Sequence, residues 1–257
     1  MRRRLLALSL SLAATGAVAN EGMWMPSQLP DIAKQLRQAG FQGKAAELAG
    51  LAQPPMNAVV KVGGASGAFV SKDGLVLTNH HVAFGVIQYN SKPGRDLIQD
   101  GYIAADRAAE LPANPDYRVL VTTGFDKVTD RILADARGKQ GRAYFEAVDT
   151  ATKAVVAECE RDAGYRCSVA NMYYGTDFYL VKQLELRDVR LVYAPPNDIG
   201  NYGDEIDNFM WPRHTGDFTL IRAYVGKDGK PAAYSKNNVP YRNARWLKVA
   251  RDPLAEG

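Results

Sequence analysis

Histidine is scarce in this 257-residue sequence, which contains only His80, His81 and His214. A general base whose pKa lies near neutrality is most often a histidine, so we look for any such base among these three. Cysteine is equally scarce, with only Cys159 and Cys167 and no histidine close to either. Two cysteines cannot supply the four ligands of a structural zinc site, so the composition excludes a site of that kind.

Long apolar runs are absent after residue 19, which excludes a membrane-spanning helix in the rest of the chain. The run at residues 5–14 follows three arginines and precedes Ala17-Val18-Ala19, which fits a small-x-small cleavage site. Even when it is extended through the cleavage site to residue 19, the apolar stretch is about 15 residues long, which is shorter than the roughly 20 that span a bilayer. We therefore predict that residues 1–19 are a cleaved signal peptide and that the mature protein begins at Asn20 and is exported.

A strong excess of positive charge is also missing. The formal net charge of +4 comes from 32 Lys and Arg against 28 Asp and Glu, and three of the arginines lie at positions 2–4. Without residues 1–19 the balance is 29 basic against 28 acidic residues. A nearly neutral chain offers no basic surface to a phosphate backbone, so we expect no nucleic-acid partner.

The state of the two cysteines depends on the cellular compartment of the protein. Export brings the chain into an oxidising environment, in which disulfides persist. Seven residues, one of them Gly164, separate Cys159 from Cys167, which is enough chain to fold back. We favour a local disulfide between Cys159 and Cys167 over two free thiols.

Strand patterns lie at both ends of the chain and helical patterns between them. Strands are predicted at residues 58–62, 67–71, 75–78, 118–123, 179–193 and 218–225. Helical patterns lie at residues 29–52, where Gly40 is a stop signal between a first and a second short helix, and at residues 128–136 and 144–161. A slip in the alternation near Arg187-Asp188 indicates a bulge or two strands there. We expect a helical insertion at about residues 92–165. The pattern favours a mainly β fold, a barrel with helical excursions, over a βαβ sheet.

The histidine pair follows a predicted hairpin. Residues 67–71 and 75–78 flank an Asp73-Gly74 turn, and Asn79-His80-His81-Val82 comes directly after them. Two histidines at a strand end are more often ordinary polar residues than catalytic ones. In this setting, however, the segment resembles the histidine segment of trypsin-like serine peptidases. The resemblance implies that His81 is the base and that His80 is the lesser candidate.

A histidine base needs a carboxylate on its second ring nitrogen. In trypsin-like peptidases this Asp leads into a hydrophobic strand, and Gly216-Asp217-Phe218-Thr219-Leu220-Ile221 has that form. The resemblance therefore implies that Asp217 orients His81. The 136 residues that separate the two exceed the gap in simple two-barrel endopeptidases, and the expected insertion accounts for the excess.

Three segments together resemble the S46 peptidases, which are bacterial dipeptidyl peptidases. They are Gly22-Met-Trp-Met-Pro26, residues 78–91, and residues 207–218 with their string Trp-Pro-Arg-His-Thr-Gly-Asp. This resemblance implies a chymotrypsin-like double β-barrel with an inserted helical domain. It also implies a Ser-His-Asp triad that needs no metal or cofactor, and release of dipeptides from the free N-termini of peptides.

The family implies roles for further residues. By position, Asn208 corresponds to an asparagine that helps hold the α-amino group of the substrate. Phe209 corresponds to a tryptophan beside the same pocket, so the indole N–H donor is lost here. His214 is expected to be a structural loop residue, because the triad needs one imidazole. Members of the family are homodimers, and an exported member is expected in the periplasm or at the cell surface of a Gram-negative bacterium.

The nucleophilic serine of the triad is not evident in the sequence. Ser66 in Gly63-Gly64-Ala65-Ser66-Gly67 lacks the last glycine and the strand–elbow–helix context of a nucleophile motif. The resemblance implies a nucleophile beyond residue 257. We therefore expect residues 20–257 to be the N-terminal part of the peptidase domain, with its first barrel, and to be inactive alone.

Two alternatives remain open at this point. The first is a trypsin-like periplasmic endopeptidase of the Htr type, which shares the Thr-Asn-His-His-Val segment but lacks the string at residues 207–217. The second is a non-catalytic peptide-binding barrel that has lost its nucleophile. Peptides are the expected partners in every case, and the sequence does not predict acidic or hydrophobic side-chain specificity.

Overall fold

The computed structural model describes residues 24–201 and 215–250 of the protein. The predicted signal peptide and the candidate residues Asn208 and Phe209 lie outside the described residues. The described strands are β1 (Val59–Val62), β2 (Ala65–Phe69), β3 (Leu75–Thr78), β4 (Tyr102–Ile103), β5 (Leu111–Pro112), β6 (Val119–Lys127), β7 (Tyr165–Met172), β8 (Asp177–Leu186), β9 (Asp188–Ala194), β10 (Thr219–Val225) and β11 (Val239–Pro240). The described α-helices are α1 (Ala33–Gln38), α2 (His80–Asn90), α3 (Leu97–Asp100), α4 (Thr129–Leu133), α5 (Gly141–Cys159) and α6 (Asn197–Gly200).

The described strands form one antiparallel sheet around one main core. The strand order is β4-β9-β10-β3-β2-β1-β6-β8-β7, with β5 on β9 and β11 on β10. A single hydrophobic cluster takes buried side chains from β1, β2, β3, β6, β8, β9 and β10. Strands far apart in this order can share one core only if the sheet curls around it. The sheet therefore has the curvature that the expected β-barrel requires.

The predicted hairpin at residues 67–78 is confirmed. Strands β2 and β3 pair antiparallel, and Gly67 lies opposite Thr78. Gly74 in the turn has a φ of +70°, and a Cβ there would lie 2.7 Å from the carbonyl oxygen of Ala223 on β10. Only glycine combines this conformation with this close approach. The turn is therefore packed against β10, and the hairpin delivers the chain from β3 into α2.

The helical part of the stretch 92–165 is shorter than the expected insertion. Strands β4, β5 and β6 lie within this stretch, and β6 pairs with both β1 and β8. The helical part runs from α4 to α5 and has a small core of its own, built from Val128, Ile132, Val155 and Phe178. Short strands such as β4 and β5, of two residues each, are too brief to show an alternation in the sequence.

The helical elements in residues 29–52 are shorter than predicted. The two helical patterns on either side of Gly40 form only α1 and a short 3₁₀ turn at Ala45–Leu48. Gly40, with a φ of +96°, separates the two, and Ile32 and Ala45 are the buried apolar residues here. A helix with so little buried surface is not extended by packing. The segment 179–193, in contrast, forms two strands, β8 and β9, with Arg187 between them, which confirms the two-strand interpretation of the slip near Arg187-Asp188.

Buried charged groups hold β9 against β10. On β9, Arg190 donates to both oxygens of Asp188, at 2.9 and 2.7 Å, and its guanidinium lies 3.8 Å from the ring centre of Tyr224 on β10. On β10, Arg222 and Tyr224 donate to Glu110, at 2.8 and 2.6 Å. Buried charges persist when they are paired and hydrogen-bonded in this way. The contacts fix the lateral position of β10 in the sheet.

Within residues 24–201 and 215–250, no helix combines the length and the apolar character needed to cross a bilayer.

The shared core predicts unequal effects of two identical substitutions. Ile221 on β10 is fully buried, whereas Ile103 on β4 is 75% exposed. We expect Ile221→Ala to lower the free energy of unfolding by about 2–5 kcal/mol, because it leaves a cavity in the core. Ile103→Ala should change that free energy by less than about 0.5 kcal/mol. Urea titrations followed by circular dichroism measure both, and equal effects would contradict a core centred on β10.

Candidate active site

His80 and His81 form the start of helix α2, where the sequence predicted only a strand end. The phase of this helix separates the two histidines. His80 lies on the buried face with Ala83, Val86 and Ile87. His81 lies about 100° further around the helix, on its open side, and exposes 63% of its side chain. Because His80 is fully buried, it is out of reach of a substrate, and His81 is the candidate base.

Asp217 is carried to His81 by the pairing of β3 with β10. These strands run antiparallel, and Thr219 at the start of β10 lies opposite Thr78 at the end of β3. In an antiparallel pair, the residues that precede one strand lie beside those that follow the other. Asp217 therefore meets Asn79 and His81, although 136 residues separate Asp217 from His81.

Three donors from two neighbouring residues hold the Asp217 carboxylate. The backbone N–H of His81 donates to Oδ1 at 3.1 Å, and Nδ1 of His81 lies 2.8 Å from Oδ2. The side-chain amide of Asn79 donates to Oδ2 at 3.0 Å and also contacts the backbone carbonyl of Asp217, at 3.3 Å. The carboxylate is thus fixed at the N-terminal end of α2, where negative charge is favoured.

These contacts decide the charge of Asp217. Its side chain is only 21% exposed, and burial alone would raise the pKa of the carboxyl group. The hydrogen bonds from the His81 backbone and ring, together with the one from Asn79, outweigh burial and hold the pKa of Asp217 below its ordinary value. Asp217 is therefore ionised at neutral pH.

The ionised carboxylate sets the proton on the His81 ring. A carboxylate can only accept hydrogen bonds, so Nδ1 of His81 is the donor in the 2.8 Å contact. In the neutral ring, Nε2 is then the nitrogen that can accept a proton. Among the described residues, Nε2 has no hydrogen-bond partner, and the ring is largely exposed. The pair has the arrangement of a general base with its orienting carboxylate.

An aromatic pair lies next to the carboxylate. Phe218 follows Asp217 directly and stacks on Tyr193 of β9, with ring centres 5.5 Å apart and an interplanar angle of 24°. Phe218 is 43% exposed. The stack covers one side of the strand end that carries Asp217, and it presents an apolar surface beside the candidate base.

Asn79 contacts the candidate site, although the sequence reasoning left it without a role. The residue lies in the quoted segment, but the pattern of trypsin-like peptidases draws attention to the histidine that follows. The position of Asn79 in the sequence could have identified it, because an amide donor immediately before a histidine pair can reach the same carboxylate as the histidine does. Its side chain makes no cap hydrogen bond to helix α2, so the Asp217 carboxyl and carbonyl groups are its recorded partners.

The structure pairs the two cysteines at a distance from the candidate base. Cys159 at the end of α5 and Cys167 in β7 form a disulfide, with 6.2 Å between their Cα atoms. The bond joins the helical part of the chain to the sheet. Its place in the fold gives it a structural role rather than a part in the chemistry of His81.

Of the remaining candidate site residues, only Ser66 lies within the part of the chain that the structure describes. Asn208, Phe209 and His214 lie outside the described residues. Ser66 lies in β2, exposed and opposite Lys61 of β1, and its carbonyl accepts a hydrogen bond from Thr78. Over residues 24–201 and 215–250, no group of three or more His, Cys, Asp or Glu side chains is arranged to hold a metal ion.

Comparison with known proteins gives a consistent set of relatives. The sequence model of the family Peptidase S46 matches residues 19–257. An Asp/Glu-specific dipeptidyl-peptidase of Shewanella putrefaciens is 44% identical over 254 residues, which are 98% of this chain and 35% of that protein. Dipeptidyl-peptidase 7 of Porphyromonas gingivalis is 35% identical over 251 residues, again 35% of its length. The chain thus spans about a third of the length of the curated relatives that it matches.

A solved structure gives the same result for the fold. The crystal structure of Porphyromonas endodontalis DPP11 in complex with the dipeptide Arg-Glu superposes with a TM-score of 0.82 at 35% identity. The match covers 93% of this chain and 35% of the solved chain. It confirms the expected mainly β fold, with an antiparallel sheet of chymotrypsin-like barrel type and helical excursions.

The three donors to Asp217 predict the effect of removing one. Asn79→Ala deletes the amide donor without removing a helix cap, so the pKa of Asp217 should rise toward its ordinary value. Carboxyl ¹³C NMR across a pH titration measures this shift. Asn171→Ala, at an exposed position of β7, is the matched control and should leave the Asp217 curve unchanged. Superimposable curves for Asn79→Ala and the unaltered chain would show that the amide does not stabilise the anion.

Proposed function

The chain belongs to peptidase family S46, and we propose that it supplies the general base and the orienting carboxylate of a serine-type dipeptidyl peptidase. The observation that carries this proposal is the contact of Nδ1 of His81 with the ionised Asp217, which leaves Nε2 open to solvent. The relatives named as dipeptidyl-peptidases, at 33–44% identity, support the reaction class.

The mechanism follows from the geometry of the pair. Nε2 of His81 takes the proton of a serine hydroxyl as that oxygen attacks the peptide carbonyl. The same nitrogen then returns the proton to the amine that leaves, and the cycle repeats with water to release the dipeptide. Asp217 keeps the proton of the neutral ring on Nδ1 and stabilises the imidazolium that forms after each transfer.

The serine itself has to come from elsewhere. None of the serines in the described residues forms a hydrogen bond with His81. The hydroxyls of Ser71, Ser91 and Ser235 accept hydrogen bonds from backbone N–H groups, whereas at Ser66 it is the carbonyl oxygen that accepts, from Thr78. The sequence has no serine at residues 202–214 or 251–257. We therefore assign the nucleophile and its oxyanion hole to a segment that is not among residues 20–257.

Substrate recognition forms part of the same proposal. Asn208 and Phe209 are assigned to the binding of the substrate's free α-amino group, on the strength of the sequence resemblance. Anchoring that amine two residues from the reacting carbonyl restricts cleavage to dipeptides. The solved relative is described in complex with the dipeptides Arg-Glu and Arg-Asp, which supports peptides as substrates.

Export and assembly rest on the sequence alone. The leader pattern at residues 1–19 supports a periplasmic or cell-surface enzyme. Residues 20–257 are proposed to be the N-terminal part of the peptidase domain, and a homodimer is proposed from the family resemblance. An Htr-type endopeptidase is not favoured, because the family match extends over residues 19–257 and the relatives are named as dipeptidyl-peptidases.

The missing nucleophile predicts that the 257-residue chain alone does not hydrolyse dipeptidyl naphthylamides. On this proposal the chain supplies neither the triad serine nor the oxyanion hole, and each loss costs orders of magnitude in rate. Fluorescence of released naphthylamine from the purified chain measures this. Turnover that survives both His81→Ala and Asp217→Asn would overturn the assignment of the pair, and turnover abolished by Ser66→Ala would make that serine the nucleophile.

A chimera tests the proposed activity directly. This chain replaces the matched region of the Shewanella putrefaciens relative, and the product is assayed with a dipeptidyl naphthylamide ending in Glu. We expect hydrolysis, a loss of about 10⁴-fold in kcat with Asp217→Asn, and a loss at least as large with His81→Ala. Gln88→Ala, exposed on the same helix, is the matched control and should retain the rate.

The blocked form of the same reporter distinguishes the peptidase classes. N-acetylation removes the charged amine that a dipeptidyl peptidase must bind, so the chimera should not cleave the acetylated reporter. Equal cleavage of both reporters would favour an endopeptidase. An inactive chimera whose circular dichroism and thermal unfolding match those of the parent relative would count against the proposed role of His81 and Asp217.

A further inference from the structure

His80 is a buried polar group that the proposed mechanism does not use. The side chain is fully buried, and neither ring nitrogen has a hydrogen-bond partner among the described residues. Burial lowers the pKa of His80 despite the nearby Asp217 carboxylate and Asn197 side chain, which favour the charged ring, so His80 is neutral at pH 7. The Asn197 side chain approaches the ring without reaching hydrogen-bonding geometry. An unpartnered imidazole in this place costs stability, and simple filling of space does not explain it.

The ring of His80 is seated directly against Gly200. A Cβ built on Gly200 would lie 2.5 Å from Cγ, 2.6 Å from Cδ2 and 2.7 Å from Nδ1 of His80. Gly200 does not have a positive φ, so its backbone would accept a side chain. A side chain at residue 200 would therefore collide with the ring, which explains the glycine at this position.

Helix α6 in turn holds the backbone just before Asp217. The carbonyl of Ile199 accepts a hydrogen bond from the backbone N–H of Gly216 at 2.8 Å. The hydroxyl of Thr215 donates to the carbonyls of Ile199 and Gly200, at 3.2 and 2.9 Å. A Cβ on Gly216 would lie 2.9 Å from Cγ2 of Ile199, so this second contact is also close.

Residues 79, 80 and 81 thus all converge on the segment 215–217. Asn79 and His81 reach Asp217 directly, and His80 reaches the residues before it through Gly200 and α6. We propose that His80 is a positioning residue, whose ring, seated against Gly200, sets the place of α6 and thereby brings Asp217 onto His81. The catalytic meaning of this role rests on the proposed function, but the geometry can be tested without turnover.

Two single variants test the contact in the 257-residue chain. Gly200→Ala places a methyl group where the His80 ring lies, so α6 or α2 must move. His80→Ala removes the ring and therefore the packing contact that α6 makes with it through Gly200. We expect both variants to weaken the downfield Nδ1–H signal of the His81 ring, because that proton is bonded to Asp217. Gly200→Ala should also shift the ¹⁵N–¹H signal of the His81 backbone amide, which donates to the same carboxylate.

The double variant provides the decisive comparison. Removing the ring makes room for a methyl group, so Gly200→Ala should shift the His81 signals much less in the His80→Ala background than in the unaltered chain. If Gly200→Ala alone fails to fold, recovery of the folded state in the His80→Ala background tests the same contact, and failure to recover it would overturn the proposal. Gly85→Ala is the matched control, because a Cβ at Gly85 on the exposed face of α2 meets no atom within 4 Å, and the signals should stay in place.

The outcome separates positioning from packing. Suppose that both variants lower the melting temperature, that Gly200→Ala leaves both His81 signals unchanged and that His80→Ala leaves the ring Nδ1–H signal unchanged. His80 then only fills space, and the proposal is wrong. Equal shifts from Gly200→Ala in the two backgrounds would also overturn it. In the active chimera, Gly200→Ala should lower kcat by ~100-fold with little change in KM, since a misplaced group slows the chemistry. A chimera inactive before any substitution would count against the proposed function, and the NMR result would stand.

Discussion

The position of a single carboxylate depends on most of the structure described here. The Asp217 anion is only 21% exposed, and a partly buried charge is stable only if donors surround it. Its donors come from Asn79 and His81, which lie 138 and 136 residues away along the chain. The site therefore exists only when strands β3 and β10 pair in one register and helix α2 begins directly after β3. A shift of one residue in that register would turn Asp217 away from all three donors.

The sheet and its core impose this register. Strand β10 lies between β3 and β9, and buried apolar side chains on it face the same core as those of β1, β2 and β6. Apolar packing alone is not directional, and polar contacts supply the directional interactions that fix β10 along its length. The pairing of Arg222 and Tyr224 with Glu110, and the stacking of Arg190 on Tyr224, resist sliding of β10 along its neighbours. The chemistry at one end of β10 is thus supported by buried charges along the rest of the strand.

The sequence predicts those parts of the site that depend on local pattern. The β2–β3 hairpin follows from its Asp-Gly turn, and His81 and Asp217 are identified by short strings of residues beside strands. The contributions of β4, β5 and α6 are not predictable in this way, because elements of two to four residues carry no periodicity. Helix α1 is overpredicted for the opposite reason, since its pattern is helical but little surface is buried against it. Long-range contacts decide both kinds of error.

The choice between the two histidines shows how a local feature becomes decisive once its secondary structure is known. As residues at the end of a strand, His80 and His81 would point to opposite faces, and nothing in the sequence would say which face is buried. As the first turn of a helix, their positions are fixed by the apolar residues that follow. Ala83 and Ile87 lie three and seven positions after His80, which places His80 on the buried face and His81 on the open one. The same helical phase therefore exposes the imidazole of His81 to solvent and packs the imidazole of His80 against Gly200. Adjacent residues of identical chemistry acquire different roles because they lie about 100° apart around one helix.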